Sequence, residues 1–465
     1  MVGPPFGKAD IMHSQFTILS KSLFEQDGVR YRIAHNTKTQ SFKAVSTELL
    51  SGCINRAQYD RLTLREQAFL ADAGLRPLTN DERDHEVREV LDNQLKAGLN
   101  SQTVSMVIMP TSQCNLGCEY CGQQHSAGNM PNPIEDRVLR RLEHRISRSP
   151  GATEFRVSWF GGEPLLGIRS ILRLSRRITE IAAEANLTWV SQMPTNGLLL
   201  SPKIAHTMYG DANLRFAEVT IDGPENIHDQ SRPQKNSKPG TDYQSIVSNL
   251  AYICSNINKF KDLRLSVRVN VHEGNVDSIE DLLQDLADRG LNAPAVSLNI
   301  VPVYDWGTDT AVGKIDRKEF AEKQLVLLDY ARTLHFRFSL FPRSLVGAVC
   351  TATDLDKEVI GTRGHVFTCT EQPLAPGLDP ERSVGHVLSL DPKKPRPRGD
   401  YDDWVEAGIN GGVSTCRRCP ILPICGGACP KQWFDGNVPC PPWRYNMPER
   451  LDRIAPMGGL RATSE

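Results

Sequence analysis

The sequence predicts an α/β fold: a partial, TIM-like (β/α)6 barrel, preceded by a small winged-helix-like domain and followed by a cysteine-rich domain. Three observations predict it. Between residues 103 and 303, strand-like and helix-like stretches alternate six times. Residues ahead of that alternation carry short strand and helix patterns of their own. Ten of the 12 cysteines fall in two groups, one just after the first barrel strand and one between residues 350 and 440.

The chain has 465 residues, room for two to four domains of roughly 150 residues each. Lys plus Arg number 54 and Asp plus Glu 55, a formal net charge of −1. A nucleic-acid or membrane-surface partner would call for a basic excess, so neither is expected. No stretch is apolar for long enough to span a bilayer. The start, MVGPPFGKADIMHSQF, lacks the apolar h-region of a signal peptide, which predicts a cytoplasmic protein. In that reducing compartment so many cysteines point to metal or redox chemistry rather than to disulfides.

In chain order, residues 1–14 read as a tail and 15–100 as the small domain. There, QFTILSKSLF and VRYRIAH alternate like strands, and helical patterns cover 47–51, 55–62, 64–73 and 81–97. The barrel takes 101–310, with strands expected at 103–109, 153–160, 187–194, 214–221, 263–271 and 295–303. Asn132 and Pro133 read as N-cap and first helical residue, ahead of an apolar stripe of Ile134, Val138, Leu139, Leu142 and Ile146. Asn275 reads as the cap of a helix with the stripe Val276, Ile279, Leu282, Leu283 and Leu286, stopped at Gly290. Repeated βα units with right-handed crossovers build a parallel sheet with helices outside. Six units leave the barrel open, with its chemistry at the carboxyl ends of the strands. Residues 311–345 read as a linker holding a helix and a strand, 346–450 as the cysteine-rich domain and 451–465 as a second tail. DPKKPRPRGD (391–400) reads as an exposed connection.

Just after the first barrel strand comes CNLGCEYC, with Cys114, Cys118 and Cys121 spaced C-x3-C-x2-C. Iron–sulfur cubes normally take four Cys. A triplet leaves one iron without a protein ligand, open to a substrate or cofactor. Zinc is the rival, although structural zinc sites close with four ligands. The triplet, with Tyr120 before its last cysteine, resembles the radical S-adenosylmethionine (SAM) enzymes. Further motifs follow successive strands in that family's order. They are Gly161-Gly162-Glu163-Pro164, Thr195-Asn196-Gly197, Thr220-Ile221-Asp222-Gly223 and His228-Asp229-x-x-Arg232, with Arg268 and Asn270 on the fifth strand. The resemblance implies that Gly161, Gly162, Glu163 and Pro164 hold the methionine end of SAM. Tyr120, Thr195, Asn196, Thr220, Asp222, Arg232, Arg268 and Asn270 would supply further cofactor contacts. Two glycines let backbone approach a ligand, and a carboxylate can pair with an ammonium.

The second group reads C-x13-G-x4-C, a gap, C-x2-C-x5-C-x3-C, a gap, C, from Cys350 to Cys440. This resembles the seven-cysteine pattern of SPASM domains, which hold two auxiliary 4Fe–4S clusters. The resemblance assigns Cys416, Cys419, Cys425 and Cys440 to an outer cluster and Cys350, Cys369 and Cys429 to an inner one. Three clusters and SAM are thus the expected cofactors, with C-x2-C zinc knuckles the rival for this segment. Cys254, beside the stripe Ile246–Leu250–Ile253, and Cys53 read as core residues.

Function is expected to be that of an oxidoreductase that matures a ribosomally synthesised precursor peptide (a RiPP). The 5′-deoxyadenosyl radical would abstract hydrogen and a side-chain cross-link would form. The small domain would hold the leader peptide by adding a strand to a sheet edge. A flavodoxin- or ferredoxin-like protein would donate electrons. Asp305, in VYDWG after the sixth strand, is the candidate base, and a solvated loop acid is the plain alternative. Two other readings stand beside this one. A sulfatase-type (formylglycine) or quinohaem-enzyme maturase would act on a protein, although Thr370 follows Cys369 where the sulfatase activators place an Asp. A non-catalytic iron–sulfur carrier would cleave no SAM.

Overall fold

The computed structural model describes residues 13–53, 55–97, 102–126, 128–235, 242–304, 312–342, 345–375 and 380–462. The candidate base Asp305 lies outside the described residues.

The first unit is a small antiparallel sheet with helices on one face. Its strands are β1 (Thr17–Leu19), β2 (Phe24–Gln26), β3 (Val29–Asn36) and β4 (Ser41–Ser46). β3 pairs with β1 and β2 along one side and with β4 along the other. Asp27 and Gly28 both take positive φ, 53° and 76°, the two-residue turn that suits the twist of the β2–β3 hairpin. Helices α1 (Thr47–Gly52), α2 (Arg56–Tyr59), α3 (Leu64–Asp72) and α4 (Asn80–Ala97) follow close to the expected places. Thr63 and Glu66 close a reciprocal capping box on α3. Ala34 and Val45 bury against Tyr59, Leu70 and Leu75, and Cys53 sits in this core with its thiol donating to the Leu50 carbonyl. Sequence alternation did not single out β4, which is short and half exposed.

The barrel strands are β5 (Thr103–Thr111), β6 (Glu154–Gly161), β7 (Thr188–Thr195), β8 (Leu214–Thr220), β9 (Arg264–Val271) and β10 (Val296–Pro302). All five neighbouring pairs are parallel and in chain order, so the six expected strands form an open barrel wall. Helices α5 (Asn132–Ser147), α6 (Ile168–Glu184), α7 (Pro202–Gly210), α8 (Glu225–Ser231), α9 (Asp242–Ser255) and α10 (Ile279–Asp288) cover or edge the wall. Ile171, Leu174 and Ile178 of α6, with Leu282, Leu283 and Leu286 of α10, are almost fully buried in one continuous core with the strands.

Several expectations need correction. The α5 cap is Pro131, so Asn132 and Pro133 lie one position deeper than expected, since the extended backbone of residue 131 already starts the helix. The 311–345 linker is largely α11 (Arg317–Thr333), whose Phe320, Leu327 and Leu328 pack into the barrel core. The strand expected after it is reduced to one bridge, Ser297 to Arg337. Residues 451–465 are no tail where described. Leu451, Ala455 and Leu460 are buried against the first unit, and β14 (Arg461–Ala462) pairs with β2.

The cysteine-rich segment also adds to the barrel sheet. Its β11 (Val359–Ile360) pairs parallel with β5, and β12 (His365–Phe367) and β13 (Gly385–His386) continue antiparallel. This covers the edge that an open barrel leaves exposed. A bidentate Arg141–Glu358 pair, both side chains only 2% exposed, clamps β11 to α5. Within the 391–400 connection Arg396 is buried, pairing with Asp402 and donating to the Asp354 and Lys357 carbonyls. The first unit sits directly on this segment. Thr37 donates to the Pro420 carbonyl, and Ile18, Phe24 and Ile33 share a core with Ile421 and Ile424.

Candidate active site

β5 ends in a loop that carries Cys114, Cys118 and Cys121, and the loop after α8 pins it. Gly117 N donates to Pro233 O at 2.8 Å, Lys235 N to Asn115 O at 2.8 Å and Glu119 N to Ser231 O at 3.0 Å. Cys121 N donates back to Cys118 O, a tight turn that brings the last two thiols together. Burial first, opposed by Arg232, then Cys121, Asp222 and Cys114, pushes the Cys118 thiol up to about 11. The Cys114 thiol is raised chiefly by burial, with Glu163 and Cys121 adding to it. Thiols ligate iron as thiolates, so occupancy of this site releases protons.

Beneath the loop lies a buried charged network. The carboxylate of Asp222 accepts from Arg232 at 3.1 Å, from Asn270 N at 2.8 Å and from the Tyr120 hydroxyl. Tyr120 in turn accepts from Arg232 at 2.5 Å and from Asn270 Nδ2 at 3.2 Å. Asp222 and Arg232 side chains are 0% and 5% exposed. Burial opposes the Arg232 charge, yet Cys118, Tyr120 and Asp222 together hold its pKa well above the usual value. Tyr120 and Arg232 thus fix the loop on which the thiols ride. Asn275, expected as a helix cap, braces the same network: its Nδ2 donates to the Asp222 and Asn270 carbonyls.

The end of β6 meets the end of β5 at Gly161 and Gly162. A Cβ there would stand 2.3 Å from Thr111 O and 2.4 Å from Gln113 O, and Gly161 has φ +133°. The glycines are needed first for this backbone contact. Glu163 is fully buried, and its carboxylate accepts from Leu165 N, Asn196 N and the Thr195 hydroxyl at 2.8–3.0 Å. It joins the β6 and β7 loops to each other just behind the cavity lining. Burial above all raises its pKa, with the three donors pulling it back.

A cavity of about 420 Å³ opens at the carboxyl ends of the strands. Of the expected residues, Cys114, Cys118, Cys121, Tyr120, Gly161, Gly162, Thr195, Asn196, Thr220, Arg232, Arg268 and Asn270 line it. Glu163, Pro164 and Asp222 stand behind that lining. Arg268 is held by Glu218 at 3.3 Å and Asn270 Oδ1 at 2.9 Å.

The VYDWG segment was expected to bring aromatics near the barrel mouth, and Tyr304 does line the cavity, whereas His125 and Glu371 carry no motif and were missed. Tyr304 lies under the Arg317 guanidinium, 5.1 Å from the ring centre. His125 is bonded to Lys235 at 3.0 Å, and burial pulls its pKa down to about 4. Glu371 also lines the cavity, its pKa raised by burial against the pull of Lys431 and Arg268. It stands one residue beyond Thr370.

The seven later cysteines gather as two groups. Cys416, Cys419, Cys425 and Cys440 are near enough for their charges to act on one another, and all four thiols are raised mainly by burial. Cys350, Cys369 and Cys429 form the other group in the same sense. Among the described residues, no three His, Cys, Asp or Glu side chains converge tightly enough to grip a single ion. The triplet fits an iron–sulfur cube with one open corner: three thiols on one braced loop facing a cavity, with no fourth cysteine in the described lining.

The chain matches a family model described as a 4Fe-4S single cluster domain over residues 103–247. It is 28% identical over 130 residues to a serine-type anaerobic sulfatase-maturating enzyme of Bacteroides thetaiotaomicron, 27% of this chain and 31% of that one. It therefore spans less than a third of that relative's length. An uncharacterized Synechocystis protein is 25% identical over 71% of this chain and 85% of its own. Among solved structures, anSMEcpe with bound AdoMet has a TM-score of 0.53 at 15% identity, covering 77% of this chain and 97% of that one. Streptococcus suis SuiB bound to S-adenosylmethionine has 0.50 at 13% identity, covering 90% and 97%. These likenesses bear out the expected fold: an open parallel barrel like that of these AdoMet-bound proteins, followed by a cysteine-rich segment.

Proposed function

We propose that this protein is a radical SAM oxidoreductase that modifies a ribosomally made precursor peptide, joining two of its side chains. The observation that carries the reading is the three-thiol loop over a cavity at the barrel mouth. When bound there, a 4Fe–4S cluster and SAM supply reductive cleavage of the sulfonium and a 5′-deoxyadenosyl radical able to take hydrogen from a C–H bond. Cys114, Cys118 and Cys121 would hold that cluster. The seven later cysteines would hold two more, Cys416, Cys419, Cys425 and Cys440 one of them and Cys350, Cys369 and Cys429 the other. Bound there, they would supply one-electron redox centres for the net oxidation of the substrate.

The remaining residues position and shield. Tyr120 and Arg232 keep the thiol loop in place over the cavity, and Thr195 and Asn196 present polar groups to a bound cofactor from the end of β7. Arg268, held by Glu218 and Asn270, offers a guanidinium for a carboxylate. Leu374 and Ala375 of the cysteine-rich segment help close the mouth against water. The outer side of β4 bears no strand among the described residues, an edge suited to a leader peptide. A solved anSMEcpe structure with AdoMet and the Kp18Cys peptide bound has the same fold, TM-score 0.53, which supports a peptide as the substrate class. An external one-electron donor completes the reaction.

The test is incubation with SAM, reductant and precursor peptide. 5′-Deoxyadenosine together with a peptide lighter by two hydrogens supports the reading. SAM cleavage without any change in mass across candidate precursors contradicts it. The sulfatase-maturating relatives favour a second reading, oxidation of a serine or cysteine in a protein partner. Thr370 after Cys369 counts against it. A formylglycine product from a sulfatase peptide would select it.

A further inference from the structure

At the end of the barrel wall opposite the thiol triplet, a second cavity of about 420 Å³ opens. It lies between the amino-terminal end of β5, the loop from α5 to β6 and residues 354–357 of the cysteine-rich segment. Arg145, in the last turn of α5, is part of its lining and only 5% exposed. The guanidinium makes no hydrogen bond among the described residues, and its Nη1 is sealed from solvent without an acceptor. The carboxylates nearby serve other groups. Glu358 gives both oxygens to Arg141, at 2.6 and 2.7 Å. Asp354 accepts from Lys357 at 3.2 Å and from Asp356 N at 3.0 Å, while Asp356 itself is exposed at the rim. Burial pulls the Arg145 pKa down, and Glu358 and then Asp356 oppose that pull. Arg148, also in the lining, engages one nitrogen, on the Lys393 carbonyl at 2.6 Å. Four cations, Arg141, Arg145, Arg148 and Lys357, thus stand in and around the cavity against three carboxylates, Glu358, Asp354 and Asp356. A buried guanidinium without an acceptor is costly, and its planar fork of N–H donors matches an oxyanion.

We propose that this cavity is an oxyanion-binding site, in which Arg145 forks onto the phosphate or carboxylate group of a small molecule while Arg148 and Lys357 flank it. One anion there balances the surplus cation and gives Arg145 the acceptor that the chain itself does not supply. The bound group ties the end of α5 to the stretch that leads from Cys350 into β11, beside the Arg141–Glu358 clamp. Its occupancy therefore steadies the attachment of the cysteine-rich segment to the barrel. This cavity and the one at the thiol triplet share no lining residue, so the site stands whatever reaction the first cavity performs.

The test is thermal melting and calorimetric titration of the reconstituted full chain in a zwitterionic buffer. Sodium phosphate, sodium acetate and sodium chloride are added at matched ionic strength. Phosphate or acetate, and not chloride, should raise the melting temperature progressively with concentration. Whichever of the two acts at the lower concentration tells a phosphate ligand from a carboxylate one. Arg145→Met keeps an unbranched side chain and removes the fork. It should bind the anion at least about tenfold more weakly and lose the rise in melting temperature. Should that variant fail to fold, Arg148→Gln, at an exposed position, should melt like wild type without anion and bind at least about threefold more weakly. A rise in Arg145→Met, or in Arg148→Gln where it stands in, equal to that of wild type would overturn the proposal. So would a wild type that answers chloride as strongly as phosphate and acetate, or answers none of the three.

Discussion

Replacing Arg232 by Gln strips the counter-charge from a carboxylate with no solvent-exposed surface. Asp222 would keep Asn270 N and the Tyr120 hydroxyl but lose the guanidinium 3.1 Å away. Breaking a buried pair by removing one partner costs about 3–5 kcal/mol, and two remaining donors place this case near 3 kcal/mol. Spread over a barrel of some 200 residues, that is a fall of roughly 6–12 °C in melting temperature. The loop carrying the triplet loses its brace as well, so iron retention at the first site should fall in parallel. Removing both charges with D222N/R232Q leaves no orphaned ion and should restore more than half of the loss. The assay is thermal melting of the apo-protein followed by circular dichroism, with iron content after reconstitution. A single variant as stable as wild type, or a double variant no better than the single one, would refute the idea that this pair is a charge-balanced brace.

Three further outcomes are expected. Cys121→Ala and Cys440→Ala should each lower reconstituted iron by about four per chain, the content of one cube, while Cys53→Ser and Cys254→Ser leave it unchanged by iron and sulfide assay. Glu163→Gln turns one end of an acceptor for three donors into a donor, costing roughly 1–3 kcal/mol, and should weaken SAM binding by about tenfold or more in equilibrium dialysis. His228, fully buried, is pulled down to about 3 by burial foremost and then by Arg232, against the upward pull of Asp222. From near pH 6.5 down to about 3 the unfolded chain takes a proton that the fold refuses, so stability falls with acidification across that window, by up to about 1.4 kcal/mol per pH unit. Denaturant midpoints measured against pH should fall less steeply in His228→Phe than in wild type, the slope that remains belonging to the other histidines lowered by burial, His125 among them.

Much of this was legible in the sequence because period and spacing are local signals. The six barrel strands announce themselves as apolar runs of strand length, and each motif falls at a strand's end because the parallel topology puts every such end on one face. Pairings made over long separations were not legible. β11 adds to β5 across some 250 residues and is only two residues long, too short to show alternation. The segment after residue 450 looked polar enough to be a tail, yet Leu451, Ala455 and Leu460 bury against the first unit. Within the site, residue type alone does not give the place of Glu163. A carboxylate beside two glycines suggests a partner for an ammonium, but its three donors come from the chain's own loops. Glu371 carries no motif, and only the course of the cysteine-rich segment back across the barrel mouth brings it to the wall.

Pulsed electron–nuclear double resonance on the reduced protein, with SAM bearing nitrogen-15 in its methionine amino group, bears most directly on the vacant corner at the triplet. Coupling between that nitrogen and a cluster spin, absent in Cys118→Ala, is the expected result. A cluster signal indifferent to labelled SAM, or zinc in place of iron at these three thiols, would contradict it.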